Sequence, residues 1–228
     1  MFKANDPKGR MTVGAVLLAA GAGSRLGGRP KALLELDGVP LITRQLAALS
    51  QAGVDEIVVV LGHYAQAIEA ATGQFPIKLV RNPAPDEGQA SSVRIGLQAL
   101  SPQLDAVMMA LADQPLIDAQ DITALMAAFV KRGGKSMVVP RVSDADGAPV
   151  PGNPVIFDAA LRTQWLADST GVTGRDWREK NHERVHWFDT DNRRYRIDID
   201  TPEDIARFAA STGHTLVWPP AFADDTSA

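Results

Sequence analysis

The residues VGAVLLAAGAGSRLGGRPK, Val13 to Lys31, decide the fold. An apolar run from Val13 to Leu18 passes through small residues into Gly21, Gly23, Gly27 and Gly28, with Arg25 and Lys31 set among the glycines. Such a run bounded by glycine predicts a buried strand followed by a loop. Glycine permits positive φ and brings peptide N–H groups close to a ligand. Successive N–H groups in such a turn form an anion-binding concavity. Two added cations favour a polyanion such as a triphosphate over a singly charged ligand. Short glycine motifs alone do not separate this reading from an ordinary strand-to-helix turn. The placement of Arg25 and Lys31 directly after a first strand does the separating.

Working outward, strands and helices alternate. Apolar stretches at Asp55–Gly62, Ile77–Arg81, Asp105–Leu111 and Ser136–Pro140 read as strands, with a shorter one at Asn153–Phe157. Helical patterns fall between them, at Pro40–Gly53, Tyr64–Thr72, Glu87–Leu100, Asp118–Arg132 and Asp158–Leu166. Lys31–Leu36 reads as a short extended segment and Ser143–Gly152 as a polar loop. Ser169–Glu183 gives no clear pattern. Arg184–Thr190 and Tyr195–Ile199 read as strands, and Pro202–Ala210 as a helix capped by Thr201. Alternation of this kind implies parallel pairing with helices on both faces. The expected fold is a single α/β, Rossmann-like three-layer domain with a mainly parallel mixed sheet. It spans residues 13–212, between a polar leader (1–12) and a loose C-terminal tail (213–228).

Composition narrows the function classes. The chain has 228 residues, a net charge of −4 with both signs interspersed, and no cysteine. Thiolate catalysis, disulfides and cysteine-based metal sites are thereby excluded. Nothing suggests a nucleic-acid surface, so phosphates must be met locally. The leader lacks an apolar core of signal-peptide type, and no apolar run approaches the ~20 residues of a membrane helix. A cytoplasmic location is expected. The four histidines (His63, His182, His186 and His214) lack metal-ligand spacing, and the tryptophans read as packing residues.

In parallel sheets, ligands sit beyond the carboxyl ends of strands. Asp113 stands at such an end, in Leu111-Ala-Asp-Gln-Pro115. Beside a triphosphate it is a natural Mg²⁺ ligand, because that cation binds through one or two carboxylates plus phosphate oxygens. A helix cap or turn aspartate is the other reading. In Asp198-Ile-Asp200-Thr-Pro, Asp198 and Asp200 share one side of an extended segment, and either could complete a metal site. Glu203 and Asp204 read as capping acids. Gly88, Ser91 and Ser92 offer donors and acceptors to a base edge or ribose, or simply cap a helix. Gly152-Asn153-Pro154 forms a tight turn able to wall a second substrate.

Together these residues resemble the molybdenum-cofactor nucleotidyltransferase family. Leu18-Ala-Ala-Gly21-Ala-Gly23-Ser-Arg25-Leu-Gly27…Lys31 is similar to the L-A-A-G-x-G-x-R-x-G…K signature of the NTP transferase superfamily. Asn82-Pro…Gly88…Ser92-Val, Ala112-Asp113-Gln-Pro115, Gly152-Asn-Pro154-Val and Asp198-Ile-Asp200-Thr-Pro follow in the family's order. The resemblance covers about residues 13–210 and falls nearest the cytidylyltransferase branch, which transfers CMP to molybdopterin. It implies a nucleotide-diphospho-sugar transferase type of fold, with Mg²⁺ on Asp113 and Asp200. It implies triphosphate binding by Arg25 and Lys31, which with Asp113 form the candidate catalytic set. Nucleotide contacts would run along Ala19, Ala20, Gly21 and Gly23 and at Gly88 and Ser92, with Gly152, Asn153 and Pro154 on the acceptor side. Ala20, where guanylyltransferases carry glycine, points to CTP, while Asn153 departs from the histidine of some members. Partners implied are CTP, a molybdopterin-type acceptor, and a molybdoenzyme or its maturation chaperone. One alternative is an NAD(P)H-dependent oxidoreductase of the nicotine blue oxidoreductase type, which the first sixty-odd residues also resemble. Another is a transferase acting on a sugar or alditol phosphate.

Overall fold

A computed structural model describes residues 9–144, 146–168 and 174–223. The chain runs β1 (Val13–Ala19), β2 (Glu35–Leu36), β3 (Val39–Pro40), α1 (Leu41–Gln51), β4 (Glu56–Leu61), α2 (Ala65–Thr72) and β5 (Lys78–Arg81). It continues through α3 (Gln89–Ala99), β6 (Ala106–Leu111), α4 (Ala119–Val130), β7 (Met137–Ser143), β8 (Pro149–Pro151) and β9 (Val155–Asp158). It closes with α5 (Ala159–Ala167), α6 (Gly174–Lys180), β10 (Val185–Asp189), α7 (Pro202–Thr212) and β11 (Leu216–Val217).

The main sheet follows the order β10-β7-β9-β6-β1-β4-β5, with β8 attached to β7. β1 pairs in parallel with both β4 and β6, as expected for a strand apolar on both faces. Its side chains divide by parity. Val13, Ala15, Leu17 and Ala19 join a core with Ile42, Leu46, Ile122 and Phe129 of α1 and α4. Val16 and Ala20 join a second core with Leu97 of α3 and Leu161 and Trp165 of α5. That division makes three layers, the architecture expected from the sequence. A third, smaller core lies under β2, β3 and β11 and includes Leu26, Leu36, Phe208 and Leu216.

α3 lies close against the sheet because Gly96 faces it. A Cβ there would fall 2.3 Å from Val16 Cγ1 and 2.9 Å from Val60 Cγ2. Overpacking of this kind costs about 1–3 kcal/mol, and alanine's better helix propensity returns about 1 kcal/mol of it. Gly96→Ala is therefore expected to lower the unfolding free energy by up to about 2 kcal/mol, read as a fall in the urea midpoint at unchanged slope.

Strand β9 runs antiparallel to both β6 and β7, with Met109 opposite Val155 and Ala106 opposite Asp158. The reversal carries the start of β9, and the Gly152-Asn153-Pro154 turn before it, to the edge where β1 and β6 end.

Several local expectations are corrected. Tyr195–Ile199 is not a strand: Arg193–Arg196 forms a 3-10 turn. The Tyr195 hydroxyl donates to the Asp121 carbonyl (2.7 Å) and Arg194 pairs with Asp118 and Asp121, drawing this segment across the start of α4. Ser143–Gly152 is not all loop, since β7 reaches Ser143 and β8 pairs back onto it. Lys31–Leu33 is a 3-10 turn whose Ala32 and Leu33 are buried, and only Glu35–Leu36 is extended. In the tail, Leu216–Val217 pairs with β2, and Pro220–Phe222 forms a 3-10 turn. Within the patternless stretch, Gly174–Lys180 is helical. Residues 1–8 of the leader, 169–173 and 224–228 lie outside the described residues.

Candidate active site

The loop after β1 is closed by its own backbone. Leu26 N–H and Gly28 N–H both donate to the Gly23 carbonyl, at 2.8 and 3.0 Å. Gly23 has φ 62°, and a Cβ on it would lie 1.9 Å from the Arg29 carbonyl oxygen, so only glycine fits. Arg25 projects from this turn, with its side chain 65% exposed. Lys31 follows on a turn pinned by the buried Leu33 and Leu34.

Asp113 stands just past the end of β6 and is buried. Its carbonyl accepts from Ile199 N–H at 3.0 Å, which lays the segment bearing Asp198 and Asp200 against the strand end. The Lys31 ammonium donates to Asp113 Oδ2 and to Asp200 Oδ1, the latter at 2.8 Å. Arg25 pairs with Asp200 Oδ2 at 3.0 Å. Arg25, Lys31, Asp113 and Asp200, expected together from the sequence, therefore form one cluster. Leu18 and Ala19 from the end of β1 and Gly21 from the glycine loop line the adjoining cleft with Lys31, Tyr64 and Asp113.

Burial pulls the Lys31 pKa down, but the charge of Asp113 and hydrogen bonds to both carboxylates outweigh it, and the net shift is upward. Burial pushes Asp200 up, while the bonds and charges of Lys31 and Arg25 bring it below the usual carboxylate range. Asp198 is raised by burial first and then by the negative charges of Asp113 and Asp200, so the three carboxylates share one field.

One atom in the cluster is unprovided for. Asp113 Oδ1 is buried and has no hydrogen-bond partner, although a buried carboxylate oxygen normally has one. An anionic oxygen left bare beside a second carboxylate fits the coordination of a divalent cation. Among the described residues no group of three or more His, Asp or Glu side chains is arranged to hold a metal unaided. Two carboxylates with phosphate oxygens supplied by a nucleotide match the habit of Mg²⁺.

The remaining expected residues take different places. Ala19 and Ala20 are buried at the end of β1. Gly62, which ends the run from β4, touches the Ala20 backbone so closely that a Cβ would fall 2.3 Å from the Ala20 oxygen. Gly88 caps α3 at φ 94°, and its carbonyl accepts from Ser91 Oγ at 2.8 Å. Ser92 is buried, and its hydroxyl accepts from Asn82 Nδ2 at 2.9 Å. That bond anchors α3 beside the end of β4, where Asn82 N–H donates to the Leu61 carbonyl.

The Gly152-Asn153-Pro154 turn is tied to the Asp113 strand by Gln114, whose role the sequence reading missed. Gln114 Nε2 donates to the carbonyls of Asn153 (3.2 Å) and Tyr195 (3.3 Å), and the Gln114 backbone carbonyl accepts from Gln45 Nε2. Asn153 N–H donates to the Tyr195 carbonyl at 2.9 Å, and a Cβ on Gly152 would lie 2.5 Å from that same oxygen. The adjacent position to Asp113 was the available signal. Tyr64 was missed as well: its hydroxyl donates to the loop carbonyls of Ala22 and Gly28, contacts 42 and 36 residues away that no local pattern encodes.

Tyr195 itself is held by the network at the start of α4. There Arg194 bridges Asp118 and the buried Asp121, and Asn192 Nδ2 donates to Asp121. Removing one partner of a buried pair strands the other charge. Asn192 and a backbone N–H remain on Asp121, so Arg194→Ala is expected to cost about 2 kcal/mol, below the usual range for such a loss. Guanidinium unfolding measures it.

The MobA-like NTP transferase domain is matched over residues 15–185, which contain the glycine loop, Asp113 and the Gly152–Pro154 turn. The chain belongs to this family. It is 32% identical over 196 residues to nicotine blue oxidoreductase of Paenarthrobacter nicotinovorans, covering 86% of this chain and 95% of that protein. It is 33% identical over 166 residues to 2-C-methyl-D-erythritol 4-phosphate cytidylyltransferase of Streptomyces avermitilis, covering 65% and 63%. A solved nucleotidyl transferase from Methanothermobacter thermautotroptrophicus superposes with a TM-score of 0.70 at 26% identity, over 88% of this chain and 97% of that one. The MobA-like NTP transferase assignment makes the chain a nucleotidyltransferase, and the mainly parallel α/β sheet is the one its structural relatives carry.

Proposed function

We propose that this MobA-like NTP transferase moves CMP from CTP to the terminal phosphate of a molybdopterin-type acceptor, releasing pyrophosphate. The observation carrying the donor side is the Arg25–Lys31–Asp113–Asp200 cluster beneath the glycine loop, with Asp113 Oδ1 left bare. The loop N–H groups with Arg25 and Lys31 hold the phosphates and neutralise charge as pyrophosphate departs. Asp113 and Asp200 would hold Mg²⁺, which when bound supplies Lewis-acid polarisation of phosphate oxygens. Phosphoryl chemistry of this kind asks the protein for positioning and electrostatics more than for covalent participation. An acceptor phosphate is already ionised at neutral pH, so no side chain is assigned as general base.

Ala20 and the Gly88–Ser92 segment support cytosine as the base, and the 2-C-methyl-D-erythritol 4-phosphate cytidylyltransferase relative supports the same choice. The acceptor rests on the order of the later motifs. Gly152, Asn153 and Pro154 would wall that acceptor, and a molybdoenzyme or its maturation chaperone would receive the product in the cytoplasm. Pyrophosphate release is measured with each of the four nucleoside triphosphates and Mg²⁺, with and without molybdopterin. The expected result is release that needs both CTP and molybdopterin. Equal rates with CTP and GTP overturn the base, and release with a sugar or alditol phosphate instead moves the acceptor.

A second reading, an NAD(P)H-dependent oxidoreductase, is favoured by the 32% identity to nicotine blue oxidoreductase across 95% of that protein. Against it stand the G-x-G-x-x-x-G spacing of Gly21, Gly23 and Gly27 and the end of β4 in Leu61-Gly62, with no acid for a ribose diol. NADPH oxidation without pyrophosphate release from any triphosphate would establish this reading over the transferase.

A further inference from the structure

The segment Leu216–Phe222 reads as loose tail in the sequence, yet it reaches the glycine loop twice, once directly at Arg29 and once through Tyr64. It enters as β11, with Leu216 opposite Leu36 and Val217 opposite Glu35. Trp218 then packs against the third core. There the Arg29 guanidinium lies over its ring, 4.6 Å from the centroid. Arg29 in turn donates from Nε to the Leu26 carbonyl at 2.9 Å, so the stacked side chain is bonded back into the loop. Four residues later Phe222 meets Tyr64 edge to face, with ring centroids 6.3 Å apart. The Tyr64 hydroxyl is the group shared between the Ala22 and Gly28 carbonyls, one on each limb of the loop.

These contacts form a chain of support. A loop built on glycines at positive φ has little conformational preference of its own, so its shape must be imposed by what surrounds it. Tyr64 gathers the two limbs, Arg29 fixes the outgoing limb, and each rests on an aromatic side chain from the C-terminal segment. We propose that Leu216–Phe222 is a brace that holds the nucleotide-binding loop in its binding shape, with Trp218, Phe222 and Tyr64 as positioning residues for the nucleotide. The inference rests on the nucleotidyltransferase reading for its ligand, but not for the loop's order. A preformed loop loses less freedom when triphosphate arrives, which raises affinity without adding a contact.

The test uses the full chain with Trp218→Ala, Phe222→Ala and the conservative Trp218→Phe, which keeps an aromatic face for Arg29. Amide hydrogen exchange is followed in the protein without nucleotide. Each of the four ribonucleoside triphosphates is also titrated with Mg²⁺ into wild type, and the tightest into the variants. Loss of an aromatic or cation–π contact is expected to weaken binding on the order of threefold to tenfold. KM for that triphosphate should rise in step, with a smaller change in kcat. Exchange at Ala20–Gly28 should accelerate while β4 and β6 amides stay protected, and Trp218→Phe should recover most of both effects. Variants that only melt earlier, with loop exchange and nucleotide affinity unchanged, overturn the brace. If wild type binds no triphosphate, the nucleotidyltransferase reading falls, and loop exchange alone then decides the brace.

Discussion

Asp113→Ala is expected to lower pyrophosphate release on the order of a thousandfold, with the fold intact by circular dichroism and thermal melting. The magnitude follows from what the residue is placed to do. Removing one preorganised group aimed at developing charge costs about a hundredfold to a thousandfold, and Asp113 is proposed to anchor the metal as well. Stability should move little. The buried Oδ1 has no partner to lose, and Lys31 keeps Asp200. Asp113→Asn separates charge from shape: it retains the volume and should be nearly as inactive as alanine. An active Asp113→Asn enzyme would show that the carboxylate charge is not what the reaction uses.

Lys31→Met carries the second large effect, and it is expected to move two quantities in opposite directions. The ammonium sits between Asp113 and Asp200, where a divalent cation would also have to sit or lie close. A metal arriving alone must displace it. A metal arriving with a triphosphate brings phosphate oxygens to which the ammonium can transfer. Deleting the charge should therefore strengthen binding of Mn²⁺ alone by about tenfold or more, a modest fraction of the ~4 kcal/mol between unit charges 4 Å apart near a protein surface. Turnover should fall about a hundredfold, because the phosphates lose a cation. Electron paramagnetic resonance of free Mn²⁺ measures the first effect without any activity assay. Unchanged Mn²⁺ affinity would show that Lys31 does not compete for the carboxylates.

How much of this could be read from sequence depends on how far each contact reaches along the chain. β1 and its loop were legible because a run apolar at every position, then glycine, is a local pattern. Asp113 was legible because it ends another such run. The coupling of Asp113 to the Gly152–Pro154 turn through Gln114 was not, since it joins positions 39 and 81 residues apart. Tyr195–Ile199 has strand-like composition, but Asp118 and Asp121 pull Arg194 away from the sheet, a pairing 73 to 76 residues long. β8 was hidden by its prolines at both ends, which an edge strand tolerates. The C-terminal segment was hidden because its pairing with β2 is only two residues long, although Trp218 and Phe222 were in view.

The Lys31 ammonium reaches Asp113 across 82 residues and Asp200 across 169. No fragment of the chain short of nearly the whole domain can bring these three together, so the unfolded ensemble presents no rudimentary version of the cluster. A ligand that depends on it binds the native state alone, and its free energy of binding is added in full to the free energy of unfolding. At a hundred times its dissociation constant that amounts to about 2.7 kcal/mol. Occupancy thus becomes visible as a rise in melting temperature, in a protein whose acceptor has yet to be supplied.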